Sequence, residues 1–238
     1  MKVKAVLFDL DGTLLPMDQD KFIKAYLGGL VKVLAPHGYN PDLIAEALWA
    51  STRQMFSNDG SRRNEEVFWD NFCAKLGESV RDEDERLVEY YNTDFQKVKE
   101  TCGFIPEARV IIHMLRDASI PVILATNPLF PSVATESRIR WAGLDPSDFI
   151  LVTTYENSRF CKPNVDYYKE ILEKTGLHPE DCIMIGNDVT EDMVAQKLGM
   201  RTFLVTDSII NKENKDISIY RHGTFAELVN FIKEIINE

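Results

Sequence analysis

The sequence predicts an α/β protein: a parallel sheet covered by helices on both faces, with an α-helical domain inserted after the first strand. Short apolar runs that suit buried parallel strands fall at residues 3–8, 121–125, 149–152, 182–185 and 201–205. Helical patterns alternate with the last four, at 132–142, 164–175 and 191–198. Each stops at a glycine (Gly143, Gly176, Gly199), the residue that ends a helix in the left-handed conformation without a Cβ clash. Over a hundred residues separate the first two runs, far beyond an ordinary strand-to-helix connection of ~2 to 6 residues. That interval must carry structure of its own.

The first run, "AVLFDLDGTLLP" at 5–16, ends in two carboxylates, Asp9 and Asp11, followed by a glycine. In the interval after it, four groups recur at helical spacing: Ile23, Leu27, Leu30 and Leu34; Ile44, Leu48 and Met55; Phe68, Phe72 and Leu76; Leu87, Tyr91 and Phe95. They predict a four-helix domain over residues 16–100, with Trp49, Trp69 and the phenylalanines as its core. The acidic run at 81–86 reads as a solvated helix start favoured by the helix dipole. The segment from 103 returns to the sheet layer, with Pro106 suited to a helix first turn. The core domain is therefore discontinuous, residues 1–15 and 101–238. Repeated strand–helix–strand units imply right-handed crossovers and a parallel sheet.

A formal charge of −11 over 238 residues argues against a broad surface for nucleic acid or anionic lipid, so an anionic substrate must be met by a local pocket. Cys73, Cys102, Cys161 and Cys182 are scattered, as are the four histidines, which excludes an evident zinc site. Cys161 reads as a small buried thiol. No signal-peptide pattern opens the chain and no apolar stretch approaches the ~20 residues of a membrane span. The expected location is cytoplasmic, with no membrane partner.

In open α/β sheets, ligands bind beyond the carboxyl ends of the strands. Those ends carry Asp9, Asp11, Gly12 and Thr13; Thr126 and Asn127; Cys161, Lys162 and Pro163; and Asp188 and Asp192. Carboxylates without a soft ligand suit Mg²⁺. A lysine, a threonine hydroxyl and backbone amides suit the oxygens of a phosphoryl group. One acid of the close pair is free to attack phosphorus while the other protonates the leaving oxygen. Arg62 and Arg63, in a polar loop between two predicted helices, are candidates to reach the substrate.

These residues resemble the haloacid dehalogenase superfamily. "DLDGT" is similar to its first motif, Thr126 to the hydroxyl residue of the second, Lys162 to the third, and Asp188 with Asp192 to the paired acids of the fourth. The resemblance implies a Rossmann-like core with a helical cap of the first cap class. It implies Asp9 as nucleophile and Mg²⁺ ligand, and Asp11 as general acid, then base, and a backbone ligand. Thr126, with Asn127, and Lys162 would hold phosphate. Asp188 would complete the metal site, and Asp192 would bind the metal or orient Lys162. Many members carry Gly-Asp at motif four; here Asn187 intervenes, and an alternative register places Asn187 at the first-acid position.

The implied activity is a Mg²⁺-dependent phosphatase acting on a small phosphorylated metabolite through an aspartyl-phosphate on Asp9. Asp11 argues against halide displacement, which needs no acid for its leaving group. A sugar phosphomutase is the alternative, and a noncatalytic binding module is the reading from outside enzymology. The identity of the metabolite and the oligomeric state are not legible in the sequence.

Overall fold

The middle of the sheet is β1 (Ala5–Phe8), flanked on one side by β2 (Val122–Leu124) and β3 (Leu151–Val152). On the other side lie β4 (Cys182–Gly186), β5 (Arg201–Val205) and β6 (His222–Gly223). The computed structural model describes residues 3–238. Every pairing is parallel and the order is β3-β2-β1-β4-β5-β6. Because successive side chains of a strand face opposite ways, Val6 and Phe8 enter one apolar cluster while Ala5 and Leu7 enter the other. The first cluster packs under α5 (Pro106–Asp117), α6 (Ser132–Trp141) and α8 (Phe225–Asn237). The second packs under α7 (Val165–Thr175), through Tyr167, Tyr168 and Ile171.

Between β1 and β2 stand α1 (Gln19–Leu34), α2 (Pro41–Phe56), α3 (Asn64–Leu76) and α4 (Asp84–Asn92). The two ends of this insert are joined to each other. Gly103 donates its N–H to the carbonyl of Pro16 (2.7 Å), Asp18 donates to Thr101 (3.2 Å), and Met17 faces Cys102 in an antiparallel bridge. Within the insert, Asn64 at the start of α3 is wholly buried, and its side-chain amide donates to the carbonyls of Pro128 and Phe160 (3.4 Å each). The insert is thus tied to the loops after β2 and β3.

Several details differ from the sequence expectation. Phe95 lies beyond α4, in a 3-10 stretch (Asp94–Thr101). Residues 193–198 also form a 3-10 stretch, and just before it the carboxylates of Asp188 and Asp192 take up the N–H groups of Asp188, Thr190 and Glu191 in tight turns. Glu83 in the acidic run is buried and ion-paired with Arg86 rather than solvated. Trp49 is 41% exposed and so is no core residue, whereas Trp69 is buried. Arg62 pairs with Asp70 on the surface, and neither it nor Arg63 lines the pocket at the strand ends. Among the described residues no helix is long and apolar enough to cross a membrane.

Candidate active site

The strand order changes direction beside β1, and there the ends of β1 and β4 form a crevice, the usual ligand position in such sheets. The backbone ladder continues one residue further, since the N–H of Asp9 donates to the carbonyl of Ile185 (2.9 Å). Then the chain turns sharply. Gly12 has φ +87°, and a Cβ there would lie 2.4 Å from the side-chain nitrogen of Asn187, so both the turn and the close approach need glycine. Leu10, Leu14 and Leu15 are fully buried and anchor this turn in the core.

Asp9 is buried with one carboxylate oxygen 2.8 Å from Lys162 Nζ; the other has only a 3.5 Å contact with the Thr13 hydroxyl. Lys162, itself wholly buried, reaches Asp192 Oδ1 at 2.6 Å. The second oxygen of Asp192 accepts the N–H of Asp188 (2.9 Å). Burial alone pulls the Lys162 amine down, but Asp192 and Asp9 outweigh it and hold the group firmly as an ammonium. Asp192 fits because position 186 is glycine: a Cβ there would sit 2.1 Å from its Oδ2.

A pocket of about 210 Å³ gathers Asp9, Asp11, Thr126, Asn127, Asn187, Asp188 and Asp192, that is, every predicted site residue except Lys162, which lies against its floor through Asp9. Thr126 is buried, and its carbonyl accepts from Thr153 Oγ1 (2.6 Å) and Tyr167 OH (2.8 Å). The Asn127 amide donates to Glu191 Oε2 (3.0 Å), while its own oxygen is buried without a partner among the described residues. The side chain of Asn187 is occupied: its oxygen accepts from Thr13 (3.1 Å) and its nitrogen donates to the carbonyl of Ser208 (2.6 Å). Asp188 accepts from the N–H groups of Thr190 and Glu191 with one oxygen. Met17, Gln19, Phe22, Ile23 and Phe56 wall the pocket from the insert.

Thr13 stands where the sequence placed it, beside the acid pair, while Glu191 and Arg138 were not singled out there. Thr13 bridges Asp9 and Asn187. Glu191 is pushed up to about 7 by burial. Arg138 of α6 is wholly buried and ion-paired to Asp11 Oδ2. Burial raises the Asp11 carboxyl, the charge of Arg138 opposes that rise, and Asp9 adds to it. A larger cavity, about 350 Å³, lies between insert and core beside Tyr26, Phe68 and Trp69. Its charged walls are Glu65, Asp84 and Glu156, with no cation, so it offers nothing to hold a phosphoryl group.

The pocket lining presents oxygen donors and no histidine or cysteine. Among the described residues, no three or more His, Cys, Asp or Glu side chains surround a single point. The carboxyl groups among the lining, those of Asp9, Asp11 and Asp188 included, are hard oxygen ligands. That fits a hard cation which keeps water in its remaining positions, as Mg²⁺ does.

The chain is 24% identical to the glyceraldehyde 3-phosphate phosphatase of Methanothermobacter thermautotrophicus, covering 98% of this chain and 100% of that protein. Its fold is similar to that of a HAD phosphatase from Thermococcus onnurineus (TM-score 0.59, 22% identity, 98% of both chains). It is also similar to the HAD-hydrolase YfnB of Bacillus subtilis, solved bound to magnesium (TM-score 0.56, 18% identity, 98% of this chain and 99% of that one). The family model of the haloacid dehalogenase-like hydrolases matches residues 3–199, and with the strand-end acids and buried lysine in place this chain belongs to that family.

Proposed function

We propose that the protein is a Mg²⁺-dependent phosphatase for a small phosphorylated metabolite, working through an aspartyl-phosphate on Asp9. The observation that carries this is the Asp9 carboxylate at the pocket floor, with one oxygen held by Lys162 and the other nearly free. The free oxygen attacks phosphorus and the bond from phosphorus to the substrate oxygen breaks. Asp11 supplies the proton that the departing oxygen takes. Asp11 then removes a proton from water, the water oxygen attacks the same phosphorus, and the bond to Asp9 breaks to release inorganic phosphate. Lys162 and Thr126 hold the phosphoryl oxygens as their charge builds. Mg²⁺, held by Asp9, Asp188 and the Asp11 carbonyl, would neutralise phosphate charge. Asp192, with both oxygens engaged, orients Lys162.

A volume of about 210 Å³ lies at the small end for ligand sites and supports a small substrate. The helical insert serves as the cap that limits size and excludes water. Four unpaired cysteines agree with a reducing cytoplasm. The similar glyceraldehyde 3-phosphate phosphatase supports a phosphomonoester as the substrate class. Asp9→Asn should lower p-nitrophenyl phosphate turnover by ~10⁴-fold or more with the circular dichroism unchanged. Retained turnover in that variant would remove Asp9 as the nucleophile.

A further inference from the structure

Arg138 is a costly residue to place inside a core, and nothing in the proposed reaction yet uses it. Its side chain is 1% exposed. One terminal nitrogen pairs with Asp11 Oδ2, the other donates to Thr135 Oγ1 (3.3 Å), and Nε has no partner among the described residues. The guanidinium carbon stands 4.4 Å from the centre of the Phe130 ring. That ring in turn packs edge-on against Tyr26 (5.1 Å) and Phe22 (6.0 Å), both on α1 of the insert. Phe22 and Phe130 also wall the catalytic pocket. A buried arginine stabilises a fold less well than an apolar residue of similar volume, so packing alone is a poor reason for it.

The contacts form one continuous chain: helix α1, Phe130, Arg138, Asp11. At its end the two oxygens of Asp11 differ. Oδ2 is held by the guanidinium, while Oδ1 is buried and has no partner among the described residues.

We propose that Arg138 is a positioning residue for the proton step: it fixes Asp11 by Oδ2, leaves Oδ1 as the oxygen that exchanges the proton, and through Phe130 ties that placement to the seat of helix α1. This rests on the reading of Asp11 as proton donor. Arg138 itself touches neither phosphorus nor leaving group. Its effect must therefore appear only where the departing oxygen needs a proton.

The test is kcat/KM of the full-length enzyme for 4-nitrophenyl, phenyl and 4-methoxyphenyl phosphate, with Arg138→Met, Arg138→Lys and Phe130→Leu. This parameter reports steps up to departure of the phenol, and nitrophenolate departs readily without a proton. Arg138→Met should lose ~50-fold or more on the phenyl and methoxyphenyl esters and stay within about 5-fold on the nitrophenyl ester. Arg138→Lys should recover part of the loss. Phe130→Leu should show the same slope more weakly, and the double variant with Arg138→Met should be no worse than Arg138→Met alone.

Equal loss on all three esters means a merely structural arginine and overturns the proposal. Additive losses in the double variant overturn the link to α1. If Arg138→Met does not fold, Arg138→Lys and Phe130→Leu read the same slope. Absence of turnover of all three esters by the unmodified enzyme with Mg²⁺ sinks the phosphatase reading itself, and this inference with it, whereas turnover that survives in Asp9→Asn removes only Asp9 as the nucleophile.

Discussion

Two buried cations flank the strand-end acids, and they are held in opposite ways. On the Lys162 side the ammonium sits between Asp9 and Asp192, and the remaining Asp192 oxygen takes a backbone N–H. On the Arg138 side, a guanidinium with five donors leaves Nε unpartnered among the described residues, and Asp11 keeps an oxygen with no partner among them. The Lys162 side is the more fully satisfied of the two, with only the second Asp9 oxygen lightly held. In a low dielectric each satisfied contact fixes its members, while a bare oxygen is left able to act. The proposed nucleophile is thus held firmly through one oxygen, and the proposed proton carrier is left with one oxygen for exchange.

The largest break in this contrast should come from Lys162→Met. It strands Asp9 and Asp192 as buried acids, so a destabilisation of about 3 kcal/mol in urea titration is expected. The same variant should lose ~10³-fold in kcat/KM on every aryl phosphate alike, unlike Arg138→Met, because charge on the transferring group is common to all of them. Removing divalent ions with a chelator should lower activity ~100-fold, and added Mg²⁺ should restore it. Unchanged turnover after exhaustive chelation would show that Lys162 alone handles the charge.

The smallest effect sharpens the same side. Gly186→Ala forces Asp192 away from Lys162 without altering any charge. About tenfold lower kcat/KM, with the slope across leaving groups retained, is the outcome expected of misplacement. A change in that slope would mean that the two sides are not separate.

Much of this was legible in advance because strand ends, glycine stops and acid spacing are local signals. Arg201–Val205 has the same bounds in the structure as in the sequence pattern, and α3, α6 and α7 follow the predicted periodicity. The family of the chain and its α/β architecture followed from those motifs. Arg138 was not legible, since a helix that also carries Glu136 and Arg140 as an exposed ion pair reads as a solvated surface helix. The signal available was its spacing: Ala134, Arg138 and Ala142 fall four apart on one buried stripe, with a charge where an apolar residue belongs. Glu191 was missed for a related reason, because Asn127, whose amide donates to its carboxylate, is far away in sequence. The terminal helix α8 had a readable stripe in Phe225, Leu228, Phe231, Ile232 and Ile235 that no motif drew attention to.

The paired ends of the insert have a consequence for how such a molecule can change over generations. The chain leaves the sheet at Pro16 and rejoins it at Gly103, one hydrogen bond away. The entropic cost of closing such a segment grows only slowly with its length. A different segment inserted at this junction would leave the register of every strand unchanged and would have to rebuild only its contacts with the core, such as those of Asn64 with the loops after β2 and β3.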